Sequence, residues 1–216
     1  MRYLYATRKI LAAVAVVIIT GCASSNIQKT ATFDSQSNQG LVLGSISHSD
    51  DRSRYKVFYS GLDNSAEGRI QSGDRGLFLR NWPSGDLDTA GLRGDLFAVK
   101  LPAGDYEFYS WNVSNKDKQV YPVESFSLKF SVAPGVANYL GNFHFGTKSS
   151  DDSAIAGIDV SYSDEYARDI ALLQRKYENV DFQGTARGVE ADLEMGSLGG
   201  ALATELAMSV YVFSSF

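Results

Sequence analysis

Residues 126–132 read FSLKFSV, the clearest alternation of apolar and polar side chains in the chain. Every second position in this stretch is apolar, and serine or lysine stands between the apolar positions. A period of two is typical of a β-strand with one face in a core and the other in water. The stretch therefore predicts a half-buried strand, and the same pattern can be traced along the chain in both directions.

Short stretches of the same kind recur from residue 41 onwards. Further strands are predicted at 41–48, 55–60, 97–101, 106–111, 136–145 and 155–162. Two turns, at 101–104 and 133–136, contain proline, and Pro134 followed by Gly135 fits a type II turn. We expect both turns to close hairpins. Short strands separated by turns predict a mainly β protein built as an antiparallel β-sandwich.

One helix is predicted after the last of these strands. Ser163 is a candidate N-cap, because a serine hydroxyl can accept a hydrogen bond from a free N–H of the first turn. The apolar side chains then repeat on one helical face at Tyr166, Ile170, Leu173 and Tyr177. We expect this stripe to pack the helix on the sandwich.

The N-terminus has a different character. Residues 1–9 carry three basic side chains and no acidic one, residues 10–19 are all apolar, and the small Thr20 and Gly21 precede Cys22. This order is typical of a secretory signal peptide. The apolar run is shorter than the roughly 20 residues that a transmembrane helix needs.

The sequence Ile19-Thr20-Gly21-Cys22 resembles the lipobox of bacterial lipoproteins, and Cys22 is the only cysteine in the chain. The resemblance implies cleavage between Gly21 and Cys22, and acylation of Cys22 with fatty acids such as palmitate. It therefore implies the lipid bilayer as a partner of acylated Cys22. Ala23 stands where an aspartate would favour the inner membrane. The expected location is the bacterial cell envelope, at the outer membrane facing the periplasm.

These observations divide the chain into four predicted parts. They are a signal peptide at 1–21, a lipidated N-terminus and flexible linker at 22–40, a β-sandwich with its helix at 41–183, and a tail at 184–216. A flexible linker of that length reaches about 25 Å. The tail gives mixed signals, because leucines at 198, 202 and 206 fit a helix whereas 209–216 alternates like a strand.

The charge of the chain bears on its partners. Lysine and arginine number 20 against 25 acidic residues, a net charge of −5. Removal of residues 1–21 leaves 17 basic against 25 acidic residues, a net charge of −8. A nucleic-acid partner is not expected, because nucleic-acid binders carry a basic surplus. Anionic lipids would repel such a domain, so the lipid anchor must hold it at the membrane.

Three longer stretches carry a second resemblance. They are LPAGDYEFYSW (101–111), FSVAPGVANYLGNFHF (130–145) and DEYARDIALLQRKYENV (164–180). Together they resemble a group of poorly characterised bacterial lipoproteins, over about residues 95–180. The LPxGxY element also occurs in prealbumin-like sandwiches such as carboxypeptidase regulatory-type domains. The resemblance implies a prealbumin-like sandwich displayed by a lipid anchor, and it brings no catalytic residues with it.

Two histidines are candidates for chemistry. His48 is close in sequence to Asp50, Asp51 and several serines, so a Ser/His/Asp hydrolase is one interpretation. No G-x-S-x-G motif accompanies these residues, and polar loops often contain them. His144 alternates with Phe143 and Phe145, and a solvent-facing position is predicted for it. Neither a metal ion nor another cofactor is expected.

Two functional hypotheses remain open. The first is a non-catalytic lipoprotein whose sandwich binds a protein or a glycan of the envelope, for which an open sheet edge is one route. The alternative is a cell-envelope hydrolase that uses His48 or His144 with a nearby serine and aspartate. An aromatic surface at Tyr109 and Trp111 is a further candidate for binding sugar or peptide, although a core role is favoured for both.

Overall fold

The computed structural model describes residues 26–34, 36–49, 53–73, 85–89, 91–115, 119–149, 155–188 and 197–202. Gly21 and Cys22, the predicted cleavage and lipidation residues, lie outside these ranges. In chain order the elements are β1 (Gln39–His48), β2 (Arg54–Gly61), β3 (Glu67–Gly73), β4 (Leu87–Thr89), β5 (Leu92–Pro102), β6 (Gly104–Ser114), β7 (Gln119–Val120), β8 (Leu128–Val132), β9 (Ala137–Ser149), β10 (Ile155–Ser163), α1 (Tyr166–Lys176), β11 (Ala186–Arg187) and β12 (Ser197–Leu202).

The strands form two sheets. The first has the order β12-β10-β9-β1-β5-β4 with β11 beside β9, and the second has the order β3-β2-β6-β7 with β8 beside β6. Most neighbouring strands are antiparallel, but β9 runs parallel to both β1 and β11. The predicted mainly β sandwich with one helix is therefore confirmed. The first sheet departs from a purely antiparallel arrangement at its centre.

Both proline turns connect the two sheets, so the prediction that they close hairpins is wrong. β5 pairs with β1 in the first sheet, whereas β6 pairs with β2 in the second. In the same way β8 pairs with β6 and β9 pairs with β1. The second turn itself has the expected form, since Gly135 has φ +67° and the Val136 N–H donates to the Ala133 carbonyl. A turn fixes only the local path of the chain, and the packing of distant side chains selects the partner strand.

Two apolar layers hold the domain together. One lies between the sheets and includes Trp111, Phe108 and Phe143, and the other lies between the first sheet and α1. β1 contributes to both layers, with Val42 facing the first and Leu43 the second. Full burial of an aliphatic or aromatic side chain contributes roughly 1.5–3 kcal/mol. A strand that is buried on both faces therefore anchors the whole fold.

The helix packs as its apolar stripe predicts, and Leu173 is fully buried against the first sheet. Its beginning differs from the prediction. Ser163 is the last residue of β10, and Glu165 occupies the N-cap position without a side-chain capping bond. The Asp164 carboxylate instead accepts a hydrogen bond from the Tyr166 N–H at 3.0 Å. At 11 residues α1 is too short to cross a bilayer, and no other helix occurs in the described ranges.

Residues 26–34 lie against the edge of the first sheet. The Asn26 side chain donates to the Leu96 carbonyl at 3.0 Å and accepts from the Ala98 N–H at 2.8 Å. The Ile27 N–H donates to the Ala98 carbonyl at 2.8 Å, and Ile27 and Phe33 pack on the apolar layer below α1. This segment pairs the exposed main chain of β5 and covers apolar surface. It therefore differs from the flexible linker predicted for 22–40.

The tail adds two strands to the first sheet. β11 lies beside β9 and β12 beside β10. The Trp111 indole N–H donates to the Leu198 carbonyl at 3.0 Å, which ties β12 to the core. Residues 197–202 are a strand rather than the helix that their leucine spacing suggested, because β10 offers an edge for main-chain pairing. Leu206 and residues 209–216 lie outside the described ranges.

Candidate functional site

Polar side chains collect between the first sheet and the N-terminal half of α1. A bulge in β9 produces this arrangement, since Leu43 pairs with Tyr139 but Ser45 pairs with Asn142. Tyr139 faces the helix before the bulge, and Asn142 and His144 face the same side after it. Strict alternation from Tyr139 would instead send both later side chains into the core between the sheets.

Glycine is required where this bulge occurs. Gly141 has φ +96°, a conformation that other residues rarely adopt. A Cβ atom there would also lie 2.4 Å from the ring of Tyr162. The Tyr162 hydroxyl donates to the Leu140 carbonyl at 2.8 Å, which holds the ring in that place. The chain therefore turns its polar side chains toward the helix at a position that only glycine fits.

The Asp169 carboxylate lies at the centre of these polar groups and is 0% exposed. Its Oδ2 accepts hydrogen bonds from the Ser45 hydroxyl at 2.6 Å and from the Tyr139 hydroxyl at 2.9 Å. Its Oδ1 accepts from Arg168 Nε at 2.8 Å. A buried charge is tolerated when it is paired and hydrogen-bonded, and Asp169 has a cation and two hydroxyl donors. We call Ser45, Tyr139, Arg168 and Asp169 the carboxylate cluster.

Arg168 supplies the positive charge of the carboxylate cluster. Its Nη2 donates to the Ser45 hydroxyl oxygen at 3.0 Å, and its Nη1 lies 3.5 Å from the Glu165 carboxylate. The side chain is 27% exposed, so part of the guanidinium reaches solvent while the rest lies between the first sheet and α1. Because Ser45 lies in β1 and Asp169 in α1, these contacts fasten the helix to the sheet.

Tyr139 remains a hydrogen-bond donor at neutral pH. Burial, and then the neighbouring Asp169 carboxylate, raise the pKa of its hydroxyl well above the usual range. The same hydroxyl oxygen accepts a hydrogen bond from the Glu165 N–H at 3.1 Å. Tyr139 therefore contacts both the N-cap residue of the helix and the buried carboxylate, and it fixes where the helix begins on the sheet.

Ser47 and His144 form a second polar contact on the same face. Ser47 Oγ lies 2.9 Å from His144 Nδ1. Burial lowers the pKa of His144, and the Arg168 cation lowers it further. The imidazole is therefore neutral at pH 7, and it is half-buried rather than fully solvent-facing as predicted.

This contact bears on the predicted hydrolase. A serine nucleophile and its base must lie within roughly 2.6–3.2 Å, a condition that Ser47 and His144 meet. Ser47 is however 0% exposed, so a substrate carbonyl has no path to its hydroxyl in this arrangement. The hydrogen bonds that Asp169 accepts come from the carboxylate cluster, not from His144. The geometry favours a packing role for Ser47 and His144 over catalysis.

His48 lies on the opposite face of β1 from Ser45 and Ser47. It is buried between the sheets, where its ring stacks on Tyr55 with centroids 4.3 Å apart. The structure therefore does not bring His48 together with these two serines, as a triad around His48 would require. The two aspartates that follow His48 lie outside the described ranges.

Tyr109 and Trp111 do not form a common surface. The register between β2 and β6 shifts at Tyr109, which is inserted into the ladder without a partner. This bulge turns Trp111 into the core, where it is fully buried, and leaves Tyr109 41% exposed.

Within the described ranges, no three histidine, cysteine, aspartate or glutamate side chains are placed to hold a metal ion.

The sequence contained one overlooked signal for the carboxylate cluster. Asp169 lies three residues after Tyr166 and four residues before Leu173, so it shares the helical face of the apolar stripe. An acidic residue on a face that is predicted to be buried needs a partner. That argument singles out Asp169, whereas the partners on β1 and β9 follow only from the strand register.

No protein-family model and no curated protein matches the chain. Among solved structures, a leucine-rich repeat protein from Bacteroides thetaiotaomicron VPI-5482 is similar over 48% of this chain, with 14% sequence identity and a TM-score of 0.29. The similar region spans 13% of the length of that protein. At this TM-score the similarity supports no argument about fold or function.

Proposed function

We propose that the protein is a lipid-anchored protein of the bacterial cell envelope whose β-sandwich is a binding module. The observation that carries the proposal is the sequence Ile19-Thr20-Gly21-Cys22, which follows a basic and then an apolar stretch. Acylation of Cys22 would insert fatty chains into the bilayer, at about 0.8 kcal/mol for each buried CH₂ group. Two or more such chains hold a domain at a membrane stably.

The position of Asn26 sets how far the domain stands from the membrane. Only residues 23–25 separate Cys22 from Asn26, which is hydrogen-bonded to β5. An extended chain over that distance reaches about 14 Å. This is shorter than the reach of the linker predicted from sequence, so the β5 edge of the first sheet faces the lipid headgroups.

Burial of Ser47 supports binding over hydrolysis as the activity of the sandwich. Ser47 Oγ lies 2.9 Å from His144 Nδ1, but the serine is 0% exposed and its hydroxyl is closed to solvent. The edges of the first sheet are also partly occupied, because Asn26 and Ile27 pair with β5. We therefore place the binding surface on the second sheet.

Replacement of the lipidated cysteine tests the proposal. The full chain and its Cys22→Ser variant are expressed in a Gram-negative bacterium with labelled palmitate, and membrane and soluble fractions are separated. The unaltered chain should be membrane-bound and labelled, with a mass that shows loss of residues 1–21 and gain of acyl chains. The variant should be unlabelled and uncleaved. Ser24→Ala leaves the lipobox intact and serves as the matched control.

Two outcomes would contradict the anchor. One is an unaltered chain without acyl mass, and the other is a Cys22→Ser variant that is labelled as strongly as the control. The outer-membrane location has a separate test, since Ala23→Asp should move the lipidated protein to the inner-membrane fraction. An unchanged distribution in that variant would contradict the outer-membrane assignment while leaving the lipid anchor in place.

A further inference from the structure

The outward face of the second sheet carries a group of cations. Val57 points into the core, so Lys56 and Phe58 on either side of it point outward. Arg69 on β3 lies directly opposite Phe58, and Arg54 comes next along β2 on the same face. This arrangement concentrates positive charge on one part of a chain whose net charge is −5.

Lys56 and Arg69 have no carboxylate partner among the described residues. Arg69 Nε is buried and has no hydrogen-bond partner there. Burial lowers the pKa of Lys56, and the charges of Arg69 and Arg54 lower it further. Lys56 and Arg69 repel each other and lack a carboxylate partner in the described part of the chain, so an anion placed between them would relieve the repulsion.

Two aromatic rings lie beside these cations. The rings of Phe58 and Tyr109 have centroids 6.3 Å apart, and Tyr109 is 41% exposed. Ring faces of this kind pack against the C–H groups of a sugar, and the tyrosine hydroxyl can bond to a sugar hydroxyl. Gln71 and Ser110 flank the rings on the neighbouring strands and add polar groups.

Two carboxylates farther along this outward face, on β6, are held by hydroxyl donors. The Glu107 carboxylate accepts from the Ser127 hydroxyl at 2.5 Å, and the Asp105 carboxylate accepts from the Ser131 hydroxyl at 2.6 Å. Lys129 lies opposite Glu107 in this part of the sheet. An anionic ligand is therefore repelled from one half of the face and attracted to the other.

We propose that Lys56, Phe58, Arg69 and Tyr109 form a binding site for an acidic saccharide. A carboxylate or phosphate of the ligand lies between Lys56 and Arg69, and a sugar ring packs on the two aromatic rings. An acidic peptide satisfies the cations but not the aromatic pair, so the saccharide is favoured. The inference rests on the binding-module half of the proposed function and is independent of the lipid anchor.

Calorimetry with a matched pair of ligands tests the site. The full chain in non-ionic detergent is titrated with an oligogalacturonate and with its neutral methyl ester. The acidic ligand should bind, more weakly as salt rises, and the ester should bind at least about tenfold more weakly. Inorganic phosphate should compete. Lys56→Gln and Arg69→Gln should each weaken binding about tenfold.

Variants separate the site from a general charge effect. Tyr109→Ala should weaken binding of both ligands, since it removes the ring. Lys129→Gln changes the charge equally on the same face and should leave binding unchanged. A thermal unfolding transition like that of the unaltered chain shows that each variant is folded.

Several results would overturn the inference. They are the absence of acidic-saccharide binding, equal binding of the ester, an equal loss in Lys129→Gln, or equal affinity for a polyglutamate peptide. Failure of the anchor is distinguishable from these results. If the unaltered chain carries no acyl mass and the saccharide still binds, only the anchor is refuted. If the chain is acylated as expected and no saccharide binds, only this site is refuted.

Discussion

Replacement of Asp169 by alanine should destabilise the domain by about 3–5 kcal/mol, the usual cost of removing one partner from a buried ion pair. The carboxylate is 0% exposed and is the acceptor for Ser45, Tyr139 and Arg168. Its removal leaves a largely buried guanidinium without its closest counter-charge and the Tyr139 hydroxyl without its acceptor, whereas the Ser45 hydroxyl can still donate to Asn142 Oδ1 at 2.8 Å. The helix should then be held by its apolar stripe, by the Lys176–Asp86 ion pair and by the bond from the Glu165 N–H to Tyr139.

One further variant separates the loss of charge from the loss of hydrogen bonds at Asp169, and a second variant is the control. Asp169→Asn keeps an oxygen that can accept from Ser45 and Tyr139 but loses the charge that faces Arg168. It should cost about 2–3 kcal/mol, less than the alanine variant. Glu178→Gln is the matched control, because Glu178 is exposed just beyond α1. Its effect should stay within about 0.5 kcal/mol.

Equilibrium unfolding in urea measures these differences. The full chain carrying Cys22→Ser is used as the common background, so that lipid is absent from every variant. In thermal unfolding, each kcal/mol of lost stability should lower Tm by about 2–4 °C for a chain of this size. The expected shift for Asp169→Ala is therefore about 6–20 °C. A loss below about 1 kcal/mol with an unchanged m-value would refute the role assigned to the carboxylate cluster.

Two other predictions concern single buried groups. Tyr177 has a buried hydroxyl without a hydrogen-bond partner in the described residues, and burial followed by the Asp86 charge raises its pKa to about 12. Tyr177→Phe should therefore raise the free energy of unfolding by up to about 1 kcal/mol, with a slightly higher Tm. A clearly lower free energy of unfolding in the same assay would contradict this. Burial and Arg168 lower the pKa of His144 in the folded state, so the unfolded chain binds more protons below the ordinary histidine pKa of about 6.5. Stability should be full above that pH and fall as pH decreases through the window below it. His144→Gln should show a smaller fall between pH 7.5 and 5, and identical pH profiles would exclude the effect.

Local periodicity made much of the fold predictable. The alternation at 126–132 and 41–48 marks strands that the structure contains, as β8 and β1. The stripe that includes Ile170 and Leu173 marks the buried face of α1. These predictions succeed because the side chains that bury a strand or helix repeat with the geometry of that element alone.

The bulges at Gly141 and Tyr109 limited the prediction of the site. Each inserts one residue and reverses which face the following side chains occupy. The first moves His144 beside Ser47 on the helix side, and the second moves Trp111 into the core. A period-two pattern continued through either point assigns the wrong face to every later residue. The aromatic surface considered as a lesser candidate at Tyr109 and Trp111 therefore does not exist, and of the two residues only Trp111 has the core role that was favoured.

The sequence by itself determined the strands, the apolar stripe of the helix and the expectation of a lipid anchor at Cys22, because each is written in neighbouring residues. Only the tertiary structure decided that Asp169 contacts Ser45 and that Arg69 lies opposite Phe58, near Lys56. Those contacts join residues that are distant in sequence or lie on separate strands. They depend on strand register and on the order of strands in each sheet. The physical reason is that packing selects the partners of a strand, whereas its own residues specify only its two faces.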